Sequence, residues 1–359
     1  MTETNQKSII LISNTLLKGG AEKQCVLLAN FLSQHFRVNL LIFNNQIDPQ
    51  LFSQLNRAKI EIKILEGNLV QKLLAIRNFV RYSRPSVAIS FLLTSNIIGG
   101  VFGKLLGIQN RFMGIRTNEI HGWKWYAQLV IHRFFATKTV FNNYSGANSF
   151  WQRGFYRQKS VVIQNGIKAP DLRKDYLNDS IGLKILTVAR FVKEKDLLTA
   201  IEAVSITRNR WPQHKITYFI VGYGEQENLI KLKIKELGLG EVVNIVVNPD
   251  DLQSYFLDAD LYLSTSINEG MPNTILEAMS YGLPIIATDV GDVSELVTTG
   301  SNGFVVMKRN IDGIVESISY FLREPSHLEK MGSRSRKIVE SSFTVEKMGL
   351  AYIDIIESN

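Results

Sequence analysis

Residues 183–225 read LKILTVARFVKEKDLLTAIEAVSITRNRWPQHKITYFIVGYGE, and their pattern decides the fold. An apolar run, Leu183–Ala189, gives way to an amphipathic stretch, Lys195–Arg208, and then to a second apolar run, Ile216–Val221. Short apolar runs bounded by charges and turns are buried strands, and the helical period between them marks a crossover. A further helix over Glu225–Leu237 and strands at Val242–Val247, Leu261–Ser264 and Pro284–Ala287 continue the alternation. This βαβ rhythm predicts a mainly parallel, doubly wound sheet.

The rhythm is already present upstream. Strands are predicted at Ser8–Ser13, Val38–Phe43, Lys59–Leu65, Val87–Phe91, Arg111–Arg116, Thr139–Phe141 and Val161–Gln164, with amphipathic segments such as Ala21–Gln34 and Leu69–Tyr82 between them. The polar, turn-rich stretch Asn165–Ser180 separates the two series, and its Asn-Gly pair marks a turn. The expectation is an α/β chain of two Rossmann-like domains facing a cleft, 1–165 and 166–342, with ligands at the carboxyl ends of the strands.

At 359 residues and 45% apolar, the chain buries a core of two ordinary domains rather than one very large one. The single cysteine, Cys25, rules out an intramolecular disulfide framework and fits a reducing compartment; on an amphipathic helix it reads as a small core residue. The opening MTETNQKSIILIS lacks the positive region and long apolar segment of a signal peptide. No apolar stretch approaches the ~20 residues that span a bilayer. A soluble or peripheral cytoplasmic protein is expected. Its charge is unevenly spread: up to Lys168 there are 21 Lys and Arg against 6 Asp and Glu, a formal +15, and the remainder carries 20 against 27, a formal −7. A basic first half implies an anionic partner: acidic lipid, a phosphorylated acceptor or nucleic acid.

Four motifs fall at strand ends. Gly19-Gly20-Ala21-Glu22 follows the first strand and opens a helix, where two glycines allow close backbone approach and free N–H groups face an anion; an ordinary strand-to-helix turn has the same appearance. Arg190, closing a strand, and Lys195, near the start of the next helix, make either a metal-free diphosphate clamp or a solvated pair. Gly222-Tyr223-Gly224-Glu225 forms a turn that admits a flat ligand such as a base. In Glu269-Gly270-Met271-Pro272-Asn273-Thr274-Ile275-Leu276-Glu277, Asn273 is the expected N-cap, which puts Glu269 in a loop and Glu277 in the first turns of a helix. A carboxylate held in a helix suits two ribose hydroxyls, and the loop carboxylate can meet a sugar.

Together these residues resemble the family-4 retaining glycosyltransferases of GT-B fold, the type that builds bacterial surface glycans. The likeness rests on Glu269 and Glu277, on Tyr281-Gly282-Leu283-Pro284 with Gly291 and Glu295, and on Ala189-Arg190-Phe191 with Lys195. The Gly222–Glu225 turn, Ala259-Asp260, Gly19–Glu22 and Ile163–Ile167 also match, so the resemblance runs over essentially the whole chain and is most specific from Lys184 to Val305. It implies that Arg190 and Lys195 hold the donor diphosphate, Glu277 the ribose, and Glu269 the transferred sugar. Gly20 would approach the phosphates or the sugar, and the backbone at Gly222 and at Val247–Asn248 would lie at the base. It also implies that Phe343–Ser358 is a helix crossing back onto the first domain, which then comprises 1–165 with 343–359. Many relatives carry a histidine near the sugar where this chain has Arg116 in Phe112–Glu119; His121 lies five residues later, and Arg116 is the better match.

The implied reaction needs no protein nucleophile, and no activated Ser, His or Cys set is visible. Its task is to stabilise charge on the leaving diphosphate and to orient two substrates. The five histidines (His35, His121, His132, His214 and His327) are scattered, and Asp250-Asp251, Asp258 and Asp260 read as loop and helix-end acids, so neither a metal nor another cofactor is expected. The partners expected are a nucleotide-sugar donor, UDP-linked by family frequency, a glycan or polyprenyl-diphosphate-linked acceptor, and the anionic inner face of the cell membrane. Leu69–Arg84, His121–Tyr126 and Trp151–Lys159 mix cations with apolar residues and are the candidate membrane segments, or else core flanked by solvated charge. A nucleic-acid partner would explain the basic half but not the two glutamates. A sugar-nucleotide epimerase and a non-catalytic sugar-nucleotide sensor are the alternatives.

Overall fold

A computed structural model describes residues 6–176 and 182–358; residues 177–180 of the expected linker lie outside them. The chain forms two compact units, Met1–Gly166 with Val345–Asn359, and Ile167–Thr344.

The first unit is built on β1 (Ser8–Ser13), β2 (Arg37–Ile42), β3 (Ile60–Ile64), β4 (Val87–Ser90), β5 (Asn110–Ile115), β6 (Lys138–Phe141) and β7 (Ser160–Val162). They form one seven-stranded sheet in the order β3-β2-β1-β4-β5-β6-β7, parallel throughout. Alternation along β1 divides the core. Ile9 and Leu11 pack with the helix Gly20–Leu32 and with Met348, Tyr352 and Ile356 of the C-terminal helix Val345–Glu357. Ile10 and Ile12 pack with Ile76, Phe79 and Val80 of the helix Leu69–Ser83 on the opposite face. A strand covered on both faces has no polar side, which is why SIILIS reads as an unbroken apolar run.

The second unit contains β8 (Leu183–Arg190), β9 (Ile216–Tyr223), β10 (Val243–Val247), β11 (Leu261–Ser264), β12 (Ile285–Thr288) and β13 (Gly303–Val306). Their order is β10-β9-β8-β11-β12-β13, again all parallel. In each sheet the chain winds outward in one direction and then reverses, between β1 and β4 and between β8 and β11. Such a reversal leaves a crevice at the carboxyl ends of the two strands, the natural ligand position of a doubly wound sheet.

Several local expectations are corrected. The helix expected from Lys195 starts at Leu197; Lys193–Lys195 is a 3₁₀ turn, closed by Asp196 in the left-handed region at φ 45°. Asn273 is the first helical residue rather than the N-cap, because Pro272 holds the extended cap conformation at φ −76°, ψ 108°. Proline suits that place, since a missing N–H is harmless there. Arg116 lies one residue beyond β5, and the last helix begins at Val345 rather than Phe343. Among the described residues, no helix is long and apolar enough to cross a membrane.

Candidate functional site

In the second unit, the residues singled out by sequence collect at the carboxyl ends of five strands. Arg190 ends β8, exposed, opposite Tyr223 of β9. It enters no ion pair among the described residues. The chain then turns through Lys193–Lys195, and the loop after β11 is stitched onto this turn. Thr265 Oγ1 donates to the carbonyls of Lys195 and Asp196 at 3.1 and 2.9 Å, and the Ile267 amide donates to the Glu194 carbonyl at 2.8 Å. The result brings two predicted residues together: Lys195 Nζ is ion-paired with Glu269 Oε1. Both side chains are mostly buried, at 19% and 15% exposure, and Ser266 Oγ donates to the same carboxylate oxygen at 2.8 Å.

The loop is held from the other side by β12. Gly291 has φ 58°, and a Cβ there would run into the carbonyls of Gly270 and Glu269. The Asp292 amide donates to the Gly270 carbonyl at 3.2 Å. Only glycine satisfies both the left-handed backbone and the close approach. Glu277 lies one turn beyond the start of the helix Asn273–Ser280 and is half-buried. Tyr262 of β11 is 1% exposed, its hydroxyl donating to the Val188 carbonyl at 3.1 Å. Burial raises its pKa; bonds to Thr274 and the Val188 backbone oppose that, and the Glu277 and Glu269 carboxylates add to it. Both carboxylates therefore lie within electrostatic reach of one buried phenol.

Gly222 and Asn248 also meet. The Asn248 amide donates to the Gly222 carbonyl at 3.2 Å, and Asn248 takes φ 45° so that the chain leaves β10 there. The approach of Gly222 to the Ala189 carbonyl leaves no room for a Cβ. An exposed backbone ledge beside Arg190 is the outcome.

The remaining two predicted residues belong to the first unit. Gly20 is exposed at the first position of the helix Gly20–Leu32, and Glu22 sits in that helix's first turn. Thr15 Oγ1 donates to Glu22 at 3.3 Å. Arg116 is half-buried: Nη1 donates to Asn165 Oδ1 at 2.7 Å, and its guanidinium lies 4.6 Å from the Phe91 ring centroid. Its buried Nε has no partner. Burial lowers its pKa, while Tyr352, Cys25 and Glu22 act in the opposite direction. His121, the other residue considered for this role, is exposed, with Nε2 3.4 Å from Glu119. Cys25 is fully buried; desolvation pushes its thiol up to about 12, which makes it a core residue rather than a nucleophile.

Sequence reasoning missed Tyr262, Ser266 and Tyr352. Tyr262 was detectable in principle, because a tyrosine in a buried strand needs a partner for its hydroxyl. Among the described residues no three His, Cys, Asp or Glu side chains group so as to hold a metal ion. A hollow lined by Lys174, Tyr176, Glu329 and Arg336 contains none of the predicted residues. Lys174 there is committed to Asp260 at 2.8 Å.

Two parallel sheets of this make are the architecture of the GT-B glycosyltransferases. Anabaena Alr3699/HepE, solved in complex with UDP, superimposes with a TM-score of 0.84 at 18% identity, over 98% of this chain and all of that one; at that identity the likeness is one of fold. Residues 169–338, a little under half of the chain, match the family described as Glycosyl transferases group 1. Among curated relatives, an uncharacterized glycosyltransferase of Haemophilus influenzae is 27% identical over 201 residues, 56% of each chain. The capsular polysaccharide biosynthesis glycosyltransferase CapM of Staphylococcus aureus is 24% identical over 251 residues, 64% of this chain and 65% of that one. The matches thus span little more than half the length of these relatives.

Proposed function

We propose that the chain is a retaining glycosyltransferase. It moves a sugar from a UDP-sugar to a glycan or polyprenyl-diphosphate-linked acceptor at the cytoplasmic face of the membrane, with neither metal nor cofactor. The observation that carries this reading is the gathering of Arg190, Lys195, Glu269 and Glu277 around the reversal between β8 and β11. The curated relatives' names point to surface polysaccharides as products, and a structural neighbour solved with UDP-glucose points to a UDP donor.

In this mechanism Arg190 faces the diphosphate with a guanidinium that is exposed and able to form a bidentate contact. Lys195 and Glu269 act as a unit: the ammonium extends the diphosphate's counter-charge, and the carboxylate accepts a hydroxyl of the transferred sugar. Glu277 accepts the ribose hydroxyls, and the ledge at Gly222 and Asn248 meets the base. The acceptor hydroxyl attacks the anomeric carbon from the face on which the diphosphate leaves. The carbon–phosphate oxygen bond breaks as the new glycosidic bond forms, and a departing phosphate oxygen takes the acceptor's proton. Fixed cations beside the leaving group are worth far more here than in water, because they need not reorganise as charge develops. Arg116, bonded to Asn165, is the proposed sugar-contacting residue of the N-terminal sequence.

The test is turnover of UDP-glucose and related UDP-sugars with lipid-diphosphate-linked oligosaccharide, with the product's anomeric configuration read by NMR. UDP release that depends on acceptor, with the donor's configuration kept, is the expected result. An inverted product, or a sugar nucleotide consumed without acceptor, contradicts the reading.

A further inference from the structure

The helix Trp123–Val130 and the π-helical turn Ile131–Phe135 that extends it are apolar on two opposite sides. One side is core: Trp125, Ile131 and His132 are buried. The other carries Trp123, Tyr126, Val130 and Phe134, spaced three or four residues apart and exposed at 67%, 68%, 46% and 64%. Lys104 Nζ donates to the Phe134 carbonyl at 3.1 Å, and the next residue, Leu105, is 74% exposed. A helix apolar on its outer side as well as its core side belongs against a further body or a membrane, since each exposed aromatic forfeits its transfer free energy in water.

The charge around the stripe selects its partner. Lys104, Lys124 and Arg133 border it, all exposed. From Gly67 to Lys168 the chain has 14 Lys and Arg and a single acid, Glu119. Other acids of this unit, Glu22, Glu346 and Asp354, sit on the two helices that cover the opposite face of the sheet. Tryptophan and tyrosine at the level of lysine and arginine is the composition of a helix lying in a headgroup layer.

We infer that this stripe, Leu105, Trp123, Tyr126, Val130 and Phe134 with its collar of Lys104, Lys124 and Arg133, is a face that inserts into an anionic lipid surface. The inference rests on and deepens the membrane part of the proposed function. Leu69–Arg84 gives its Ile76, Phe79 and Val80 to the core and leaves Leu69, Val70, Leu74 and Tyr82 exposed, without a tryptophan among them. In Trp151–Lys159, Arg157 lies 4.8 Å from the half-buried Trp151 ring and Phe155 is buried.

The experiment is co-sedimentation of the full chain with phosphatidylcholine vesicles, with and without phosphatidylglycerol. Three proteins are compared: wild type, the triple variant W123S/Y126S/F134S, and the pair K104E/K124E. All substituted side chains are exposed, so the fold is expected to survive, and circular dichroism and UDP affinity, measured alongside, should match wild type. Wild type should sediment with the phosphatidylglycerol vesicles and be released by salt. Each variant should partition at least about tenfold less, through lost apolar insertion in one and lost headgroup attraction in the other. Wild type remaining in the supernatant, or variants sedimenting as wild type does, would overturn the inference. So would a wild-type dimer that the triple variant converts to monomer, since the stripe would then bind a second copy. Because binding to vesicles is read without nucleotide, a protein that fails to turn over UDP-sugars leaves this result unaffected.

Discussion

The ion pair between Lys195 and Glu269 joins residues 74 positions apart, and it changes what each can be asked to do. In the proposed reading, a diphosphate arriving at Lys195 would meet a lysine already shared with a carboxylate, which makes Arg190 the proposed anchor of the donor and gives the pair to the reacting end. Glu269→Ala should therefore lower turnover by about two orders of magnitude or more, the usual cost of removing a polar group aimed at the transition state, while donor affinity holds or improves. Glu277→Ala, which removes hydrogen bonds to a charged acceptor worth roughly 1.5 kcal/mol, should weaken donor binding about tenfold and leave turnover at saturation near wild type. Acceptor-dependent UDP release, resolved into kcat and KM, separates the two; the opposite assignment, or wild-type kinetics in either variant, contradicts these roles. The two glutamates were picked out from sequence as a pair with seven residues between them, turn residues among these. Lys195 was also named, but its pairing with Glu269 and the place of Tyr262 were not, because spatial neighbours contributed by separate strands leave no local pattern.

At the scale of elements, the C-terminal helix Val345–Glu357 is the clearest case of long-range dependence. It packs on Gly20–Leu32, burying Met348, Tyr352 and Ile356 in the core of the first unit. The contact is close at Gly349, where a Cβ would run into the Phe31 ring. Gly349→Ala should destabilise the first unit by about 1–3 kcal/mol despite alanine's better helix propensity, because overpacking outweighs the gain. Urea unfolding reports it; a variant as stable as wild type would mean that the two helices can separate without cost. Buried parallel strands were readable because both faces are covered and their runs are continuous. The sheet's last strand, β13, escaped notice: GFVV is four residues at an edge, following a turn. The start of the helix after β8 was misplaced for a local reason, since a left-handed Asp196 interrupts a stretch whose composition is helical throughout.

On the scale of the molecule, the two units differ in charge and in how recognisable they are, with the family match confined to 169–338. The basic first unit also has an acid-sensitive point. His132 is 1% exposed, accepts the Tyr156 amide on Nε2 at 2.8 Å and meets Thr139 Oγ1 through Nδ1 at 2.8 Å. Burial, then Lys159 and Arg133, lower its pKa from 6.5 to about 4. A histidine held neutral on folding contributes stability fully above its unfolded pKa, and that contribution is lost as pH falls through the folded value. Between pH 6.5 and 4 the loss should be about 2 kcal/mol after allowance for solvent screening. His132→Gln should flatten this part of the stability profile, and an unchanged slope would assign the acid sensitivity elsewhere. The central claim is a metal-independent donor site anchored by Arg190, and calorimetry of UDP and GDP with wild type and Arg190→Ala, with and without EDTA, tests it most directly. The account predicts micromolar-range UDP binding that EDTA leaves intact and Arg190→Ala weakens at least about tenfold, the worth of a charge-assisted contact. Binding abolished by EDTA, unchanged in Arg190→Ala, or absent for both nucleotides would contradict it.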